Sequence, residues 1–140
     1  MATDLPAAIT KMQVTDVGKV LLMFHSANLA HVSIEERDID SIVFLLQFER
    51  LIPFDYAFRL NPLPRSSRLH EDVYNLIQTR YLAKTSPIYI TGSGSEWVAK
   101  LLEYHEYTAE LLQPVAEQLK GLAGGGRDLL FRLAYAAITQ

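Results

Sequence analysis

Few residues in this chain have both the type and the spacing for chemistry. His25, His31, His70 and His105 never recur at the i, i+4 interval that lets one helix face chelate a metal. Glu103-Tyr104-His105-Glu106 and His70-Glu71-Asp72 place acids beside bases, as proton transfer requires. Consecutive residues on a helix point in different directions, however, and do not converge on one substrate atom. Gly92-Ser93-Gly94-Ser95 lacks glycines two residues to either side of a serine, so it is not a nucleophile elbow and reads as a hairpin exit and helix cap. Gly124-Gly125-Gly126-Arg127 lacks the Lys-Ser/Thr ending and the preceding strand of a phosphate loop, and reads as a hinge or helix terminator. With no cysteine, disulfides, thiolate nucleophiles and cysteine-held zinc or iron–sulfur clusters are excluded. The expectation is a protein that is not an enzyme, with no metal and no cofactor. A small hydrolase is the outside alternative and needs a pocket of converging titratable groups.

These residues are carried on elements that the sequence patterns outline. Val17, Val20, Leu21, Phe24 and Ala27 share one helical face, which predicts a helix over 16–29 capped by Thr15 or Asp16. Ser33 and Glu36 have capping-box spacing and predict a second helix over 34–51, ended by Pro53. Phe54, Tyr56, Phe58 and Leu60 alternate with Asp55, Ala57 and Arg59 as in a strand with one buried side. Pro62 and Pro64 then impose a rigid loop. Ser66 or Ser67 starts a third helix over 67–80, with Leu69, Val73, Leu76, Ile77 and Tyr81 inward. Residues 81–91 form a hairpin, and Ser93 with Glu96 opens a further helix. Helices fill most of 95–138. Phe24, Leu46, Phe58, Leu76, Ile77, Ile90 and Trp97 are the expected shared core.

A chain of 140 residues, 49% hydrophobic and 21% charged, suits one soluble domain with its own core. Its apolar runs, such as 20–24 and 42–46, are far short of the roughly 20 residues that span a bilayer. The first fifteen residues do not resemble a secretory leader, so a cytoplasmic protein with no membrane partner is expected. The net charge of −3 argues against indiscriminate nucleic-acid binding, but it is unevenly distributed. Residues 54–100 carry six basic and four acidic groups and are the only third of the chain with a positive balance.

Helix, helix, short strand, helix, hairpin is the order of a winged helix-turn-helix, with the helix at 67–80 in the recognition position. The expected fold is mainly α with a small β-hairpin: a winged helix-turn-helix-like domain over 1–104 and a helical C-terminal extension over 105–140, packed as one structural unit. The segments Asp38-Ile39-Asp40-Ser41-Ile42-Val43-Phe44-Leu45-Leu46, Ile52-Pro53-Phe54-Asp55-Tyr56-Ala57-Phe58, Leu69-His70-Glu71-Asp72-Val73-Tyr74-Asn75-Leu76 and Tyr89-Ile90-Thr91-Gly92 resemble the YwgA-like and Panacea-type winged-helix families of prokaryotes, over roughly 16–102. Where those families carry a Tyr-Gly-Pro-Tyr-Ser-like turn, this chain has Asn61-Pro62-Leu63-Pro64-Arg65-Ser66. The resemblance implies a small non-enzymatic regulator or antitoxin-like domain.

In a winged-helix complex, Arg65, Ser66, Ser67, Arg68, Arg80 and Lys84 bracket the third helix and the wing where phosphates are met. A DNA-binding regulator is therefore the leading expectation. A protein-interaction module that has lost DNA binding is the alternative, with Tyr104 and Tyr107 as exposed aromatics. The helices of the last third carry two apolar stripes with little to cover them. A homodimer through Leu129, Leu130, Leu133, Tyr135 and Ala137 is expected to bury that surface.

Overall fold

The computed structural model describes residues 4–60, 63–124 and 126–139, with only the backbone described for 123–131. It is mainly helical with small antiparallel hairpins. Helix α1 (Leu5–Lys11), which was not among the expected helices, begins where Asp4 caps the Ala7 N–H and Pro6 occupies the first turn. Helix α2 (Asp16–Leu29) starts at the Thr15 cap. All five residues of its run from Val20 to Phe24 are buried, so α2 is enclosed on every side there and forms the centre of the molecule.

The second expected helix begins later than its capping box. Ser33 and Glu36 form no cap. Instead, Ile34 accepts a backbone bond from Ile88 at 3.0 Å, so the chain stays extended past Ser33. A 3-10 turn (Glu36–Asp38) then leads into α3 (Ile39–Phe48). The alternating segment after Pro53 also departs from expectation. Phe54 and Tyr56 are buried as predicted, but the ladder is limited to β1 (Arg59–Leu60) against β2 (Pro64–Arg65). Upstream, the Gln47 side-chain amide takes the place of a neighbouring strand. It donates to the Tyr56 carbonyl at 3.0 Å and accepts the Tyr56 N–H at 3.2 Å.

Helix α4 (Ser67–Gln78) is closed by Thr79 and then Arg80, whose φ of 67° is the left-handed turn that lets the Tyr81 N–H reach the Leu76 carbonyl. Strands β3 (Leu82–Ala83) and β4 (Tyr89–Ile90) form the expected hairpin. Thr91, not Ser93, caps α5 (Gly92–Tyr104). Gly94 is required there: a Cβ would come within 2.6 Å of the Ile90 side chain and closer still to the Tyr81 carbonyl. A 3-10 turn (Ala109–Leu112), α6 (Gln113–Gly124) and α7 (Gly126–Thr139) complete the chain.

Helix α2 packs against α4, α5, α6 and β4, while α7 lies on α3 and α6. This arrangement corrects the premise of an uncovered stripe for the first of the two, over 111–122. Leu111, Leu112, Val115, Leu119 and Leu122 belong to the same buried core as α2. Ala134 is fully buried and Ala137 packs against that core, so Ala137 leaves the expected interface. Leu133 and Tyr135 are exposed, whereas the side chains of Leu129 and Leu130 lie outside the described residues. Of the expected core, Phe24, Leu46, Leu76 and Ile90 are buried, and Phe58, Ile77 and Trp97 pack at its edge. No helix among the described residues is long and apolar enough to cross a membrane.

Candidate nucleic-acid interface

Helix α4 is fixed by both flanks and by its start. Its buried side carries Leu69, Val73 and Leu76. On one flank, His70 Nε2 lies 2.6 Å from the Asp40 carboxylate of α3. The other oxygen of Asp40 accepts the Ser66 N–H at 3.0 Å, and the Ser66 hydroxyl in turn caps α4 at the Leu69 N–H. Asp40 is only 8% exposed, so with both oxygens occupied it clips the first turn of α3 to the start of α4.

On the opposite flank, the Tyr56 hydroxyl donates to Asp72 at 2.5 Å. Burial first, then the Asp72 bond and its charge, holds the Tyr56 phenol well above its ordinary pKa and therefore protonated. Arg68 pairs with Asp16 at the start of α2, donates to the Asp55 carbonyl at 3.1 Å and lies 4.7 Å from the centre of the Tyr56 ring.

The outward face of α4 is left free. Ser67, Glu71, Tyr74, Asn75 and Gln78 are all exposed and fall on one side of the helix. Two expectations change as a result. Ser66 is 2% exposed with its amide and hydroxyl both engaged, so it supports the helix and is not available as a contact. Arg68 is committed to Asp16 and Tyr56, and with Asp72 turned to Tyr56 the free acid on the α4 face is Glu71. Arg65, Arg80 and Lys84 are exposed, the first beside the start of α4 and the other two beyond its end. Helix α4 has 12 residues, so these cations are separated by about 18 Å of helix.

Two basic residues escaped the sequence reading. Arg59 is the cross-strand neighbour of Arg65, a pairing visible only once β1 and β2 are in register. Arg37 lines the same open cleft as Arg65, Asp40 and His70. A signal for the first was present: residues 56–70 hold three arginines and no acid. Comparison with protein-family models, curated proteins and solved structures finds no match for this chain.

Asp40 and His70 form a carboxylate–imidazole pair of the kind that orients a general base. The hydroxyl of Ser86, which lines the same cleft, donates to Glu35 at 2.8 Å and not to the imidazole. Among the described residues no group of three or more His, Asp or Glu is placed to hold a metal. Tyr104 is 83% exposed, while Tyr107 packs against the core, so the two do not form one exposed pair.

Proposed function

We propose that the protein is a non-catalytic, cytoplasmic winged-helix-like regulator that binds double-stranded DNA with the outward face of α4. The observation carrying this reading is the free polar face of α4, flanked by Arg65 at one end and Arg80 and Lys84 at the other. Cations separated by a helix of this length suit phosphate contacts on either side of a major groove about 12 Å wide. Asn75 and Gln78 supply amides of the type that pair with adenine edges, and Glu71 can accept from a cytosine amino group. The Asp40–His70 pair is assigned to clamping α4 against α3. In the same reading, twofold pairing through Leu133 and Tyr135 would present two α4 helices symmetrically.

The test is fluorescence anisotropy on mixed-sequence duplexes at two salt concentrations. Binding should weaken steeply with salt, and Arg65→Ala with Arg80→Ala should flatten the slope by about 0.9 logarithmic units for each phosphate that is no longer neutralised. Arg68→Ala should leave the slope unchanged, because its charge is already compensated by Asp16. No salt-dependent binding at low ionic strength would retire the proposal.

A protein-interaction role rests on a different surface. Phe44, Phe48 and Phe58 form a connected ring cluster with centroids 6.1 and 5.4 Å apart, in which Phe48 is 47% exposed.

A further inference from the structure

We propose that the small apolar pocket between α3, α4 and the 81–91 hairpin binds a free aliphatic α-amino acid, with Glu36 taking its ammonium group, Lys84 its carboxylate, and Ile39, Leu69, Val73 and Ile77 its side chain. Glu36 stands in the 3-10 turn before α3 and Lys84 follows β3, and both line this pocket. They are opposite charges brought to one pocket without pairing: neither forms an ion pair or a hydrogen bond among the described residues. Their segments are nevertheless tied together. The Ile88 N–H donates to the Ile34 carbonyl at 3.0 Å and the Ser86 hydroxyl donates to Glu35 at 2.8 Å, so the chain carrying Glu36 is fixed against the hairpin carrying Lys84. Two unpaired charges of opposite sign, held in place beforehand, are met at once by a ligand that carries both signs on neighbouring groups.

The rest of the lining fits the same ligand. Its third titratable charge, on His70, is matched by Asp40, whose carboxylate holds the ring Nε2. Glu36 and Lys84 therefore set the balance, and their sum is zero. A zwitterion, itself neutral, suits that balance better than an anion or a cation. The pocket offers about 40 Å³, and one water-sized group needs roughly 10–15 Å³, so it takes about three or four carbons. That is the size of a valine or leucine side chain. Tyr74, which lines the pocket and is 58% exposed, presents ring surface that such a side chain would cover. An apolar floor with a few polar groups at its rim is the usual make-up of a small-molecule site. Lys84 also belongs to the DNA contacts proposed above, so under that reading the amino acid competes with a phosphate for it. Amino-acid binding itself does not depend on that reading.

The intact chain is titrated by NMR with L-leucine, with isocaproate, which lacks the ammonium group, with isoamylamine, which lacks the carboxylate, and with glycine, which lacks the side chain. Leucine should shift the methyl signals of Ile39, Leu69, Val73 and Ile77 saturably, and each of the other three should bind at least about fivefold more weakly, the most that an exposed ion pair usually contributes. Glu36→Gln should weaken leucine and isoamylamine by about that factor and leave isocaproate unchanged. Lys84→Gln should weaken leucine and isocaproate and leave isoamylamine unchanged. Lys120→Gln, an exposed change on α6, should alter none of them. Glu36 and Lys84 are both exposed, so their variants should keep the circular dichroism of the parent. No saturable methyl shifts with leucine, isocaproate or isoamylamine binding as well as leucine, or leucine binding indifferent to both charge changes overturns the proposal. The duplex titration is run beside it. Leucine binding by a chain that ignores the duplex retires the DNA reading and leaves this site standing, whereas duplex binding by a chain whose methyl signals ignore leucine retires this site alone.

Discussion

His25 on α2 has an Nδ1 that is buried and without a hydrogen-bond partner among the described residues. Burial disfavours the imidazolium and lowers its pKa below the ordinary 6.5. The unfolded chain therefore binds a proton at this residue more readily than the folded one. Its contribution to stability is intact above pH 6.5 and is lost as the pH falls through the lower, folded value. Urea denaturation across that window should show stability falling with acidity, and His25→Phe should fall less steeply. Equal slopes for the two proteins would show that His25 is not the group responsible. At the same scale, Arg68 and Ser66 illustrate why residue type alone misassigns contacts: one is occupied by Asp16 and the other by the start of its own helix.

Helices α3 and α4 are the elements whose relative angle decides what the α4 face can reach. Leu46 on α3 is fully buried and Leu76 on α4 is 3% exposed, and both belong to the shared core. Truncating either to alanine removes buried methyl groups and leaves a cavity that neighbours fill only in part, at a cost of about 2–5 kcal/mol. Chemical denaturation should show that loss. A cost of less than about 1 kcal/mol would mean that the side chain sits where the core can collapse around it, contrary to this packing. Elements also account for the expectations that failed. Ser33–Glu36 and Ser93–Glu96 have the right spacing for capping boxes, but Ile34 is held extended by Ile88, and Thr91 takes the cap of α5 while its hydroxyl also donates to the Arg80 carbonyl at 2.6 Å.

Within the molecule α6 packs on α2 and α7 on α3, and the apolar stripe of 111–122 is covered from within. The proposed twofold association would therefore rest on a narrower surface than two uncovered stripes would offer, chiefly Leu133 at 39% and Tyr135 at 56% exposure. Sedimentation equilibrium at micromolar concentration should give twice the chain mass of 15.8 kDa, and Leu133→Glu should return it to one chain. A single-chain mass for the unaltered protein would end the dimer reading. Removal of α7 is a poor substitute for that test, since it would also uncover α3.

Read alone, the sequence determined the helical class, the bounds of α2, the start of α4 and the hairpin at 81–91. Each is written in local chemistry: a 3.6-residue apolar period, a Ser or Thr cap, a run of β-branched residues next to a turn. The exposed Arg65, Arg80 and Lys84 were also legible, because a charged residue outside an apolar stripe faces water by default. Tertiary structure decided the rest. Which stripes are covered depends on which helices meet, so the stripe of Leu111, Leu112, Val115, Leu119 and Leu122 could look bare in sequence and be buried in the fold. Which charges are free depends on partners far along the chain: Asp16 lies 52 residues from Arg68, and Asp40 lies 30 residues from His70. The Arg59–Arg65 pair needs a strand register that two-residue strands are too short to announce.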